Sequence, residues 1–206
     1  MRLDSFKLKI TACILMTLSH IQYHIGINNI LYIGQGAFPI FAYLCAYATT
    51  KTRNISLYVK RLLIFGAIIQ IPIFIIGETY INIFITLGLG VFTINTIKNF
   101  NYTVIPIVLL FAYFTNLDYG IFGILLITIP YITKFNKHIF TLSLVILQLL
   151  WINVFNVFYV YQWLSLISIP FIYLYDYTKG YGKFKYFFYI YYPLHIVIIY
   201  GISLII

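Results

Sequence analysis

Apolar residues run through this chain in long blocks separated by short polar or charged gaps, instead of alternating with polar residues along the faces of soluble helices or strands. Blocks of this kind suit a bilayer core of about 30 Å. Gaps marked by Gly, Asn, Pro or charge divide the sequence into nine candidate spans, at about 9–30, 34–50, 58–77, 80–97, 102–115, 117–133, 138–155, 157–175 and 185–206. Several are shorter than the roughly 20 residues of an ordinary crossing, so counts from eight to ten fit, and 102–133 also accommodates one crossing with a re-entrant piece. The pattern predicts an all-α, polytopic transmembrane helix bundle, one domain over residues 1–206, with no internal repeat, linker or soluble domain.

Composition narrows this further. The 206 residues are 63% hydrophobic and 8% charged, with a mean hydropathy of +0.97, whereas soluble domains are about half apolar and a quarter charged. A net charge of +9 would suit nucleic acid if Lys and Arg were gathered on one folded surface. Here they occupy gaps between apolar blocks, which points to a lipid bilayer and not to nucleic acid. Arg2, Lys7 and Lys9 precede an apolar stretch that continues past Ile21 without an A-x-A pattern, as expected of an uncleaved first span.

With the N-terminus in the cytoplasm, the cytoplasmic segments are 1–8, 51–57, 98–101, 134–137 and 176–184, each extended slightly into the flanking helix ends. Together these hold all 13 Lys and Arg residues, the distribution the positive-inside rule requires. Glu78, Asp118 and the C-terminus fall on the opposite side. The expected location is the inner, cytoplasmic membrane. Cys13 and Cys45 lie in apolar segments without CxxC spacing, so they read as packing residues.

Ionisable side chains within hydrocarbon cost roughly 2.5 kcal/mol or more when charged, which makes each a functional candidate. His20 and His24 fall in the first span and His195 in the last, while His138 sits at a basic cytoplasmic end. Lys9 and His20, eleven residues apart, share a helix face about 16 Å apart along the axis. Lys9 is thereby expected at headgroup level, where it can hold an anionic ligand whose reactive end reaches His20. His195, roughly 15 Å into the last span, is expected at the depth of His20. Each histidine has a plainer reading as a satisfied interhelical residue. For Gln35, Gln70, Asn82, Gln148 and Gln162 bonding across helices is the favoured reading, and Gly88, Gly90, Gly120 and Gly123 suit close helix approach. No phosphate loop, nucleophile elbow, metal motif or dinucleotide fingerprint is present.

Several segments together resemble the TraX family, that of the conjugative F-pilin acetylase. They are KITACILMTLSHIQYH from Lys9 to His24, GQGAFPIFAY from Gly34 to Tyr43, Asn82 with the apolar run behind it, YGI from Tyr119, and YYPLH from Tyr191 to His195. The resemblance covers nearly the whole chain. It implies a membrane acetyltransferase that takes acetyl from cytoplasmic acetyl-CoA and passes it to an amine or hydroxyl of a pilin or another envelope component. On that resemblance His20, His195 and Ser19 are the catalytic candidates. Lys9, Gln35 and Arg61 are candidates for binding acetyl-CoA, and His24 and Tyr192 for lining the substrate channel. No metal is implied. The family usually carries Asp where this chain has Ser19, and Arg where it has Gln35. Two other readings are a non-enzymatic membrane component of a conjugation or secretion apparatus, and a small transporter with a histidine proton relay.

Overall fold

The computed structural model describes residues 2–27, 29–75, 77–155, 160–181 and 187–205. The starts of the spans predicted at 157–175 and 185–206, with Lys183 and Lys185, lie outside them. Among the described residues the chain forms nine α-helices and two 3₁₀ segments with no extended strand: α1 Ser5–Ile25, α2 Ala37–Lys51, α3 Ile55–Ile75, α4 Ile83–Lys98, α5 Val104–Phe114, α6 Gly120–Ile132, α7 Lys137–Phe155, α8 Ser168–Leu174 and α9 Phe187–Ser203. Each overlaps one of the nine segments drawn from the sequence. The 3₁₀ segments Asn29–Gly36 and Val160–Ile167 lead into α2 and α8.

Isoleucine and the aromatics are mediocre helix formers in water. In an apolar surrounding that preference is overridden, because every backbone N–H and C=O must find a partner within its own segment. α3 is long and apolar enough to cross a membrane. Its two faces are both apolar: Ile55, Val59, Leu62, Ile69 and Ile73 are buried, while Leu57, Ile64, Ile68, Ile71 and Phe74 are exposed. Exposure of an apolar stripe of this size is what lipid contact requires. The other apolar helices are shorter, and α5, with 11 residues, has a length of only about 16 Å. α8 has seven residues, and within the segment predicted at 157–175 it is preceded by the 3₁₀ segment Val160–Ile167.

The chain divides into two compact units, one of residues up to Phe41 with Leu144 onward, the other Ala42–Ser143. In the first, Asp4 caps α1 by accepting the Lys7 N–H at 2.8 Å, and Gly26, at φ +71°, ends it by donating to the Gln22 carbonyl at 3.0 Å. The start of α1 and the residues before it are tied to the end of α8 and the loop beyond it: the Leu3 N–H donates to the Leu174 carbonyl (2.8 Å), the Asp176 N–H to that of Leu3 (3.0 Å) and the Ser5 N–H to that of Thr178 (2.8 Å). Gly34 lies against the α1 backbone, where an added Cβ would collide with the Leu15 carbonyl and come within 2.6 Å of Ser19 Cβ. Only glycine permits this approach.

The second unit is organised around α4, which packs on α3, α5 and α6. Gly88 faces Leu63 of α3 and Gly90 faces Ile127 of α6, so close that a methyl group at either position would overlap them. Asn82 caps α4 by accepting from the Phe84 N–H at 3.0 Å, and its Nδ2 donates to the Gly66 carbonyl and to Gln70 Oε1, both at 2.8 Å. The loops before α4 and α6 pair, with the Ile81 N–H donating to Asn116 and the Asp118 N–H to Ile81, each at 2.8 Å. Thr86 of α4 donates to the Asp118 carbonyl at 2.5 Å. At the other end of this unit the buried Tyr43 donates to the Phe135 carbonyl at 3.2 Å.

Candidate functional site

Lys9, Thr17, His20 and His24 recur at intervals of three, four or eight residues along α1, which puts them on one stripe. That stripe meets α9. Lys9 Nζ lies 5.2 Å from the centroid of the Phe188 ring. Thr17 Oγ1 is 2.6 Å from the Tyr191 hydroxyl. The His20 and His195 rings meet edge to face at 5.0 Å, and His24 meets Tyr200 at 6.0 Å. Residue numbers rise together on both helices, so α1 and α9 run in the same direction. His20 also stacks on His24 at 6.0 Å.

His195 is 6% exposed. Its Nδ1 lies 2.8 Å from the carbonyl oxygen of Tyr191. A carbonyl can only accept, so Nδ1 carries the proton and Nε2 presents a lone pair. Nε2 is buried and meets no hydrogen-bond partner among the described residues. Burying a polar atom without a partner costs about 1–3 kcal/mol, and Gln148 Oε1 and Ser168 Oγ share that condition. Tyr191 stacks on the His195 ring at 5.1 Å with an interplanar angle of 11°, and the buried Tyr192 touches it edge-on at 5.7 Å.

Ser19 and Gln35 are brought together: Gln35 Nε2 donates to Ser19 Oγ at 3.4 Å. The close approach at Gly34 makes this possible, since it lays the 3₁₀ segment on α1 beside Ser19. The two positions where the chain departs from the usual Asp and Arg are therefore one contact. Arg61 lies in the other unit, on the exposed face of α3, where Nε donates to the Leu57 carbonyl at 3.3 Å and the guanidinium sits 5.9 Å from the Tyr58 ring centroid. His138 is exposed at the start of α7. All four acids lie outside the α-helices, Asp4 as a cap and Asp176 in the loop beyond α8.

Sequence reasoning passed over Thr17 and Tyr191, although Thr17 shares the Lys9–His20 face and Tyr191 precedes His195 by one turn. It did include Gln148, whose Nε2 donates to Ser165 Oγ at 2.5 Å, a wholly buried pair.

Apolar helices with ionisable side chains gathered along one helix seam define a membrane-associated helical protein with a polar site inside it. The chain belongs to the TraX family, matching the family described as TraX protein over residues 5–203. No curated protein and no solved structure matches it.

Proposed function

We propose that this chain is a membrane acetyltransferase of the inner membrane, crossing it nine times with the N-terminus in the cytoplasm and taking acetyl from acetyl-CoA. The observation that carries the reading is the contact of His20 with His195 across the α1–α9 seam. Two imidazoles with no structural hydrogen bond between them are a costly thing to bury in an apolar helix pair, and His is the side chain most often used for general acid–base chemistry. The common direction of α1 and α9 supports an even number of reversals between them, as nine crossings require. The tie between the segment before α1 and the loop after α8 supports their sharing one side of the membrane.

In this reading Lys9, at the cytoplasmic end of the stripe, attracts the phosphates of acetyl-CoA, and the thioester extends toward His20. The acceptor nitrogen or oxygen, reaching the site past His24 and Tyr192, forms a bond to the acetyl carbon. The carbon–sulfur bond breaks, His20 takes the acceptor's proton, and the proton returns to the departing thiolate. A terminal amine with a pKa near 7.7–8.0 is partly neutral at working pH, so a weak base suffices. Family association with conjugation and pilin processing supports a pilin or another envelope component as acceptor.

The test is mass spectrometry of host envelope proteins and polysaccharides with and without the protein. A +acetyl species that depends on the chain and on His20 is expected. A second reading, a non-enzymatic component of a conjugation apparatus, is favoured by the neutral Ser19–Gln35 contact. It predicts no acetylated species and no acetyl-CoA consumption in membranes containing the protein.

A further inference from the structure

We propose that the Thr17–Tyr191 hydrogen bond is a positioning couple that fixes where His195 faces His20. The inference rests on the acetyltransferase reading for its kinetic consequence but not for its geometry. Thr17 Oγ1 lies 2.9 Å from the Cys13 carbonyl, which takes the threonine proton. In the 2.6 Å contact with Tyr191 the phenol is then the donor and Thr17 the acceptor. Tyr191 therefore acts on His195 in three ways. Its carbonyl holds the proton on Nδ1 and leaves Nε2 bare. Its ring lies nearly parallel to the imidazole and sets the plane. Its hydroxyl anchors that assembly to α1, one turn before His20.

Without the hydroxyl anchor, α9 keeps its own histidine geometry but loses its registration against α1. The couple is thus a device for the distance between two imidazoles, not for the chemistry of either. Thr17 and Tyr191 are positioning residues, and neither is assigned contact with the acetyl group. A loss of registration of about 1 Å at a reacting pair costs on the order of 100-fold in rate.

The experiment uses the full chain in membranes as wild type, Thr17→Val, Tyr191→Phe, the double variant and Thr17→Ser, with acetyl-CoA consumption as the activity. Thr17→Val and Tyr191→Phe should each lower kcat about 10- to 100-fold with an unchanged KM for acetyl-CoA. The double variant should be no slower than either single one, and Thr17→Ser, which keeps the acceptor oxygen, should retain most of the rate. In parallel, solid-state NMR of ¹⁵N-histidine protein should show His195 protonated on Nδ1 and close to the His20 ring. That proximity should weaken in Thr17→Val and Tyr191→Phe and persist in Thr17→Ser. Unchanged ring proximity in both single variants overturns the couple, as do multiplying losses in the double variant. A wild type that consumes no acetyl-CoA defeats the acetyltransferase reading alone, because the ring proximity still decides the positioning role.

Discussion

Asn82, in the unit of Ala42–Ser143, is wholly buried, and its side chain bonds to Gly66, Gln70 and Phe84. Gln70 in turn donates to the Tyr80 carbonyl at 2.8 Å. In the other unit Gln148 Oε1, Ser168 Oγ and His195 Nε2 are buried without a hydrogen-bond partner among the described residues. A buried polar group that is fully bonded fixes local geometry, and one that is not carries a standing cost of about 1–3 kcal/mol. The two units differ in this respect: the α3–α4 network holds helices in place, while the α1–α9 seam, proposed above as the site, has an imidazole nitrogen without a hydrogen bond among the described residues.

The sharpest way to break that contrast is to delete groups from each side of it. His20→Ala should lower acetyl transfer by roughly 10²- to 10⁴-fold and leave membrane insertion and thermal stability intact, since it removes an ionisable group from an apolar helix. Retained transfer measured on purified membranes would remove His20 from the chemistry. Asn82→Ala should act in the reverse sense, because the α4 cap is lost and Gln70 and the Gly66 carbonyl lose a partner. Cap removal alone costs 0.5–2 kcal/mol. A fall in the unfolding midpoint in detergent, with unchanged activity per folded molecule, is the expected result.

The Ser19–Gln35 contact gives a finer comparison. Ser19→Asp alone puts a carboxylate within α1 at a cost of roughly 2.5 kcal/mol, which should lower the yield of folded protein. Adding Gln35→Arg supplies the counter-charge at the contacted position and should recover most of the yield. If the double variant is no better than Ser19→Asp alone in a folding assay, the two positions are not coupled.

The smallest expected effect lies in the loop beyond α8. The Asp176 carboxyl is held below its ordinary value by the Thr178 hydroxyl first, then by the Thr178 N–H, with Arg2 assisting. A lowered carboxyl stabilises the folded loop above the ordinary pKa of about 3.9, and that contribution is lost as pH falls through the lowered value. Thr178→Ala should move the Asp176 titration midpoint upward in an NMR titration, toward that ordinary value, with no change in activity near neutral pH.

Much of the helical order was legible because apolar block length and gap chemistry report directly on segments that must satisfy their own backbone. The boundaries of α1, α3, α4, α6 and α7 fall within a few residues of the expected ones, except that α1 ends at Gly26 and not near residue 30. The 3₁₀ segments were not legible, since 3₁₀ and α share local composition and differ through tertiary contact, as at Gly34. The shared stripe of Lys9, His20 and His24 followed from helix periodicity alone. What faces that stripe did not, because the pairing of α1 with α9 is a contact between distant parts of the sequence. For the same reason the Gln35–Ser19 contact was hidden, although both residues had been singled out individually.

The parallel pairing of α1 with α9 bears on how the protein is made. The ribosome delivers His20 early and His195 only after the eight other helices have emerged. Throughout that interval the Lys9–His24 stripe of α1 lacks the partner it has in the finished fold. An insertion factor or chaperone that shields polar faces of nascent helices would therefore engage α1 longest, and release would coincide with the arrival of α9. Ribosome stalling before α9 should leave α1 crosslinkable to such a factor from the Thr17 position, and synthesis through Ser203 should abolish the crosslink.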